Sequence, residues 1–204
     1  MILKSKDDEG DDIIMALKNL INEDLACWGA NKLTKKLLYT KHGLKQVIIF
    51  RKANYYWINN KKIRAFIYNV RLKKLGNKEG FIVPRETMVG PGFMVYHNGN
   101  ITISKDAILG KHINIGGGVL IGNEFRGKRR GAPTIGDYVW ISNNVAIVGN
   151  IIIGNDVLFA PNSYCNFDVP DHSIVIGNPG KIIHKENAVS GYIKAFDIEK
   201  ANKK

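Results

Sequence analysis

The chain has 204 residues, enough for one or two domains. Its Lys and Arg (30) outnumber Asp and Glu (18) to leave a net charge of +12, which suits an anionic ligand, a membrane surface or nucleic acid. Nucleic acid is set aside, because no recognition motif is present and the basic residues lie mostly outside the repeats of the second half. Cys27 and Cys165 alone give neither a disulfide framework nor a cysteine metal site, and nothing suggests a metal. With no secretory leader and no apolar run of membrane-spanning length, the expected location is cytoplasmic, and the sequon at Asn100-Ile101-Thr102 carries no meaning there.

Residues 1–10 read as a frayed tail. Asp11 or Asp12 then caps a helix with Ile13, Ile14, Leu17, Leu20 and Ile21 on one face. A second helix is predicted over 33–39, stopping near His42-Gly43, and a third over 44–57. The fourth carries Ile63, Phe66, Ile67 and Val70 and ends at Gly76. Residues 1–80 are therefore an α-helical region. Between Arg51 and Lys74, basic residues interleave with Tyr55, Tyr56, Trp57, Phe66 and Tyr68. This stretch reads as a cap over the open end of a repeat region, with solvated lysines. It equally suits an anionic membrane, at whose inner face the protein would then lie, or an anionic acceptor; the two readings are compatible.

From residue 83 to 183 the signal is a period of six. Aliphatic residues stand at Val83, Val89, Val95 and Ile101, then Ile103, Leu109, Ile115 and Ile121. They resume at Ile135, Ile141, Ile147 and Ile153, and Phe159 and Cys165 keep the register. A second small or β-branched residue recurs four positions later, as at Val119, Val139, Val145, Val157 and Ser163. Helices repeat at 3.6 and strands at 2, so neither alone produces this pattern. A solenoid does, with three hexads per triangular coil and the aliphatics stacked inside. The register slips once, by two residues, between Ile101 and Ile103.

The repeat is interrupted at 123–133, a loop with Arg126, Lys128, Arg129 and Arg130 and no aliphatic corner. A loop leaving a rigid coil is a place where sites form, and it is also read as a solvated excursion. The repeats close at Gly177-Asn178-Pro179-Gly180-Lys181-Ile182. The tail, 186–204, is mixed polar with one last strand expected at 191–195.

Hexad solenoids of this kind resemble the left-handed β-helix acyltransferases, here most closely the serine acetyltransferase-like branch. The resemblance covers about 80–185. It rests on Gly90-Pro91-Gly92-Phe93-Met94-Val95-Tyr96-His97, the runs 115–122 and 135–153, and Val169-Pro170 with the closing motif. It implies a left-handed parallel β-helix over 81–185, a homotrimer with clefts between subunits, and acetyl-CoA as donor. Pairing of trimers through the N-terminal helices would make a hexamer.

By the same resemblance His97 is the catalytic histidine. An acceptor hydroxyl has too high a pKa to attack a thioester unaided, and neutral imidazole takes its proton as attack proceeds. Gly117, Gly118 and Gly122 are backbone candidates for an oxyanion hole. The pantetheine arm would pass Ser142 and Ala160, and Lys181 would meet the donor's phosphates. His112, His172 and His184 fall at no matching position and read as surface residues, although His112 is within reach of a neighbouring cleft.

The departures concern the acceptor. Serine-specific relatives have acidic groups where this chain has Tyr96 and Phe81, and a second histidine where it has Ala132. A zwitterion needs paired charges when desolvated. The expectation is therefore a sugar hydroxyl, in a surface polysaccharide or its precursor, packed on Tyr96 and Phe81, with Arg126, Arg129 and Arg130 facing acidic or pyrophosphate groups. Serine in cysteine biosynthesis is the alternative, and a non-catalytic trimeric scaffold a third reading.

Overall fold

The computed structural model describes residues 6–41, 43–97 and 99–202, with side chains from residue 15 onward. Four helices come first: α1 (Lys6–Cys27), α2 (Lys35–Thr40), α3 (Leu44–Ile58) and α4 (Lys62–Glu79). The first begins ahead of the expected Asp11 or Asp12 cap, so 6–10 are helical and not a frayed tail; residues 1–5 and His42 lie outside the described residues. Thr34 caps α2, its hydroxyl accepting the Leu37 N–H. Helix α4 continues past Gly76, because the glycine that stops it is Gly80, left-handed at φ 68°. Gly76 is inside the helix for space: a Cβ there would sit 2.8 Å from the Phe81 carbonyl oxygen.

Five coils of parallel β-structure come next. Coil one holds β1 (Phe81–Ile82), β2 (Met88–Val89) and β3 (Met94–Val95); coil two holds β4 (Ile101–Ile103), β5 (Ile108–Leu109) and β6 (Asn114–Ile115). Coil three has β7 (Leu120–Gly122), β8 (Thr134–Ile135) and β9 (Val139–Ile141). Coil four has β10 (Ala146–Val148), β11 (Ile152–Ile153) and β12 (Val157–Phe159). In coil five β13 (Tyr164–Cys165) and β14 (Ser173–Ile176) flank a single bridge from Val169 to Ile153. Strand β15 (Lys181–His184) turns back antiparallel on β14.

The strands sort by triangle side. The first face is β1-β4-β7-β10-β13, the second β2-β5-β8-β11, and the third β3-β6-β9-β12-β14-β15. Because each coil matches the one below, the hexad aliphatics meet in files. Val95, Ile115, Ile141, Phe159 and Val175 form one, all fully buried. Ile103, Ile121, Ile147 and Cys165 form another. No single coil could bury its own apolar side; the stack does it.

The helices seat on coil one through a polar contact. Arg51 of α3 and Asp24 of α1 are both buried. Arg51 Nε donates to Asp24 Oδ2 at 2.7 Å, and its two Nη atoms reach Asp24 Oδ1 and the carbonyls of Val89 and Gly90. Asp24 Oδ1 also accepts the Phe93 N–H at 2.8 Å. Burial pushes the Asp24 carboxyl upward, and the guanidinium and that N–H pull it back. Close by, Gly43 (φ 82°) lets α3 start against the coil: a Cβ there would lie 2.0 Å from the Val95 oxygen.

The tail returns as a helix, α5 (Lys194–Ala201), and not as the strand expected at 191–195. Phe196 of α5, its N-cap residue Ile193 and Val189 of the preceding turns pack on Leu158, Trp140 and Tyr138 of the outer third face. Tyr138 hydrogen-bonds Glu199 there. One of the three outer faces is thus covered by the chain's own end.

Candidate active site

The register slip in the sequence has a structural cause. From Val95 to Ile101, which starts the first face of the next coil, there are six positions. From Ile115 to Val119, Ile141 to Val145 and Phe159 to Ser163 there are four. Counting by six from Val95 therefore lands on Ile101, in the file of Val119, Val145 and Ser163, and Ile103 restarts the file of Ile121, Ile147 and Cys165. The corner between the third and first faces of coil one is two residues longer than the three corners stacked on it. His97 sits in this extension, exposed.

Beneath the extension the corners form a polar ladder. Tyr96, Gly116, Ser142, Ala160 and Ile176 come one residue after the inward file, each of the first four donating its N–H to the next coil. Two positions on, Gly118 N–H meets Gly99 O, Asn144 N–H meets Gly117 O, and Asn162 N–H meets Asn143 O. Ser142 Oγ accepts from Trp140 Nε1 at 3.1 Å. At the far end Lys181 lies opposite Ile176 in the β14–β15 pair, exposed. His97, Gly117, Gly118, Ser142, Ala160 and Lys181 thus share one edge of the solenoid.

Other expected residues do not join them. Gly122 ends β7, across the first face, where 123–133 leaves the coil. Phe81 is buried among the inward residues of β1, so its ring cannot pack against an acceptor; that expectation is corrected. Ala132 is packed against the core. Tyr96 points onto the third face, its ring 4.7 Å from Trp140 and 6.4 Å from His97. Burial raises its hydroxyl, which stays protonated.

The glycine N–H groups are also taken. Gly117 donates to Asn143 Oδ1 at 3.0 Å and Gly118 to Gly99 O, so as the corner stands neither faces an incoming oxyanion. The loop is closed by the Glu124–Gly131 bridge, with Glu124 Oε1 accepting the Phe125 and Arg126 N–H groups. Glu124, Arg126, Lys128 and Arg129 line a cavity of about 380 Å³ with Val148 and Asn166. Arg129 is paired with Asp168 at 3.2 Å, whereas Arg126 and Arg130 are exposed. Since the loop leaves between the first and second faces, a chain's own arginines stand across the first face from its own His97.

The other described histidines have structural partners. His172 Nδ1 is 2.7 Å from Asp156 Oδ2, His184 lies near Glu186, and His112 stacks on Tyr138 at 4.9 Å. Among the described residues no group of His, Cys, Asp or Glu could hold a metal ion.

Comparison with known proteins places this architecture. The family described as bacterial transferase hexapeptide (six repeats) matches residues 132–166. Serine acetyltransferase 4 of Arabidopsis thaliana is 32% identical over 136 residues, which are 66% of this chain and 37% of that protein. The chain therefore spans little more than a third of that plant relative. A serine acetyltransferase of Helicobacter pylori is 27% identical over 177 residues, 86% of this chain and 98% of that one. The crystal structure of Neisseria gonorrhoeae serine acetyltransferase in complex with serine superposes with a TM-score of 0.68 at 25% identity, covering 85% of this chain and 72% of that chain.

The chain carries the bacterial transferase hexapeptide repeat and is similar to the left-handed β-helix acyltransferases of the serine acetyltransferase-like branch.

Within this hexapeptide-repeat protein, two features were not read from the sequence. The lengthened corner was present as the two-residue slip, directly after the histidine it carries. The Arg51–Asp24 seat had no signal: each residue is one charge among many on an amphipathic helix. No comparison supports the expected sugar acceptor; these relatives are serine acetyltransferases.

Proposed function

We propose that the protein is an acetyl-CoA-dependent O-acetyltransferase whose acceptor is L-serine, with His97 as general base. One observation carries the reading: the lengthened corner lifts His97 to one end of a continuous edge that passes Ser142 and Ala160 and ends at Lys181. With neighbouring strands about 4.8 Å apart, the five steps from β3 to β15 span about 24 Å, a length suited to the extended arm of the donor. The thioester sits at His97 and the phosphates at Lys181.

In the reaction, neutral His97 accepts the hydroxyl proton as the serine oxygen attacks the thioester carbon. The tetrahedral intermediate collapses with loss of the coenzyme thiolate, which His97 reprotonates; O-acetylserine and free thiol leave. The acceptor's carboxylate needs a cation. Arg126 and Arg130 are exposed but lie across the first face in the same chain, so a neighbouring copy supplies them, in a trimer with shared clefts.

The serine reading is tested by thiol release from acetyl-CoA with L-serine or, separately, polysaccharide repeat units. Saturable turnover with serine is expected. Turnover with glycans and none with serine would overturn the acceptor while leaving the acetyl transfer intact. Lys181→Glu should weaken acetyl-CoA binding about fivefold, as a reversed surface charge would. An equal loss for dephosphorylated donor would remove the phosphate role. A monomeric mass by light scattering would contradict the shared cleft.

A further inference from the structure

Helix α4 buries one side and leaves an apolar stripe on the other. Ala65, Leu72, Leu75 and Gly76 face inward against the rest of the protein. On the outer side Ile63 is 79% exposed and Phe66 64%, with Ile67 and Val70 about half exposed. At 3.6 residues per turn these four fall within about 100° of arc, opposite the buried side. Exposed cations border the stripe on both edges, Lys62 and Lys73 on one, Arg64 and Arg71 on the other, and Lys74 continues its line. Arg64 and Arg71 lie over the rings of Tyr56 and Tyr68 at 5.5 and 5.2 Å, which keeps their stems along the helix surface.

Within the segment that carries the stripe the charge is of one sign. Residues 25–78 contain 14 Lys and Arg and no Asp or Glu. A second copy docked through the same face would set these cations against their own kind, which disfavours a symmetric pair. Nucleic acid would satisfy the cations and leave four large apolar side chains without a partner. An anionic bilayer satisfies both: headgroups meet the lysines and arginines, and Ile63, Phe66, Ile67 and Val70 enter the boundary of the acyl chains. No described helix is long and apolar enough to cross a membrane, so contact through α4 is peripheral.

The geometry points to α4 as an amphipathic anchor that lays the protein on an anionic lipid surface, with Phe66 and its neighbours inserted and the flanking cations on the headgroups. This is independent of the acceptor's identity.

The full-length protein should be sedimented with vesicles of phosphatidylcholine and phosphatidylglycerol in equal parts, and with phosphatidylcholine alone. Binding is expected to the mixed vesicles only and to fall as salt is raised. Lys73→Glu should lower the partition about fivefold or more, since a cation near such a surface contributes about 1 kcal/mol. Phe66→Ser should lower it at least as much without changing acetyl transfer to a soluble acceptor; an unchanged circular dichroism spectrum checks the fold. Equal binding to both vesicle types, binding indifferent to Phe66→Ser, or no binding would overturn the proposal. So would a doubling of solution mass abolished by Phe66→Ser, which would make the stripe a contact between copies. Retention of RNA that competes with vesicles and survives Phe66→Ser would assign the cations to nucleic acid instead.

Discussion

Inside the coils, Val95, Ile115, Ile141, Phe159 and Val175 stack at one position in five successive turns, with aliphatic and aromatic carbon against its like. At the seam where the helices meet coil one, the buried groups are instead a guanidinium and a carboxylate, Arg51 and Asp24, shared with two carbonyls and one N–H of the coil. The solenoid interior is repetitive, so its information is spread over many equivalent contacts and each is replaceable by a residue of similar volume. The seam is single and directional. Its hydrogen bonds have one geometry, and that geometry fixes how the helices sit on the coil.

The largest effect should therefore come at the seam. Arg51→Ala leaves Asp24 buried without its cation, and a loss of about 3–5 kcal/mol is expected in urea unfolding. Replacing both residues by apolar ones of similar size should recover much of it; failure to recover would mean that the pair supplies net attraction beyond fixing the seat. Next comes the interior. Ile141→Ala removes one level from a file and should cost about 3 kcal/mol, with the coils still formed. If Ile141→Ala proved worse than Arg51→Ala, the contrast between the regions would fail.

A smaller effect separates the regions by pH. His112 is packed under Tyr138 and beside Cys27, and burial holds its imidazole below the ordinary value of 6.5. A group depressed in the folded state favours folding above its unfolded value, and that stability is lost as pH falls through the folded value. Melting temperature should decline on acidification below about 6.5. His112→Asn, which suits the left-handed backbone at φ 54°, should flatten the decline. An unchanged slope would assign it to other groups.

The same contrast explains what could be read from the residues. A repetitive interior writes itself into sequence as a period, which is why the files of Ile115 or Ile147 were legible without coordinates. The slip between Ile101 and Ile103 was legible too, yet its meaning was not: a period records that two residues are extra but not that they protrude at the corner carrying His97. Phe81 was misjudged because its position was inferred from a resemblance before the repeats began, where the inward file already starts. The fourth helix was ended at the wrong glycine because Gly76 answers a packing need and Gly80 a backbone one, and composition does not distinguish them. The tail reads as a strand in sequence because Val189, Ile193 and Phe196 find their partners on a coil far from them along the chain.

The chemistry assigned to the lengthened corner is tested most directly by His97→Ala. Acetyl-CoA affinity and the rate of thiol release with saturating L-serine would be measured on the same preparation. Unchanged affinity with a rate lower by about 10²–10⁴-fold is expected for loss of a general base. A rate equal to that of the unaltered protein would contradict the assignment of His97 and of the edge that leads from it.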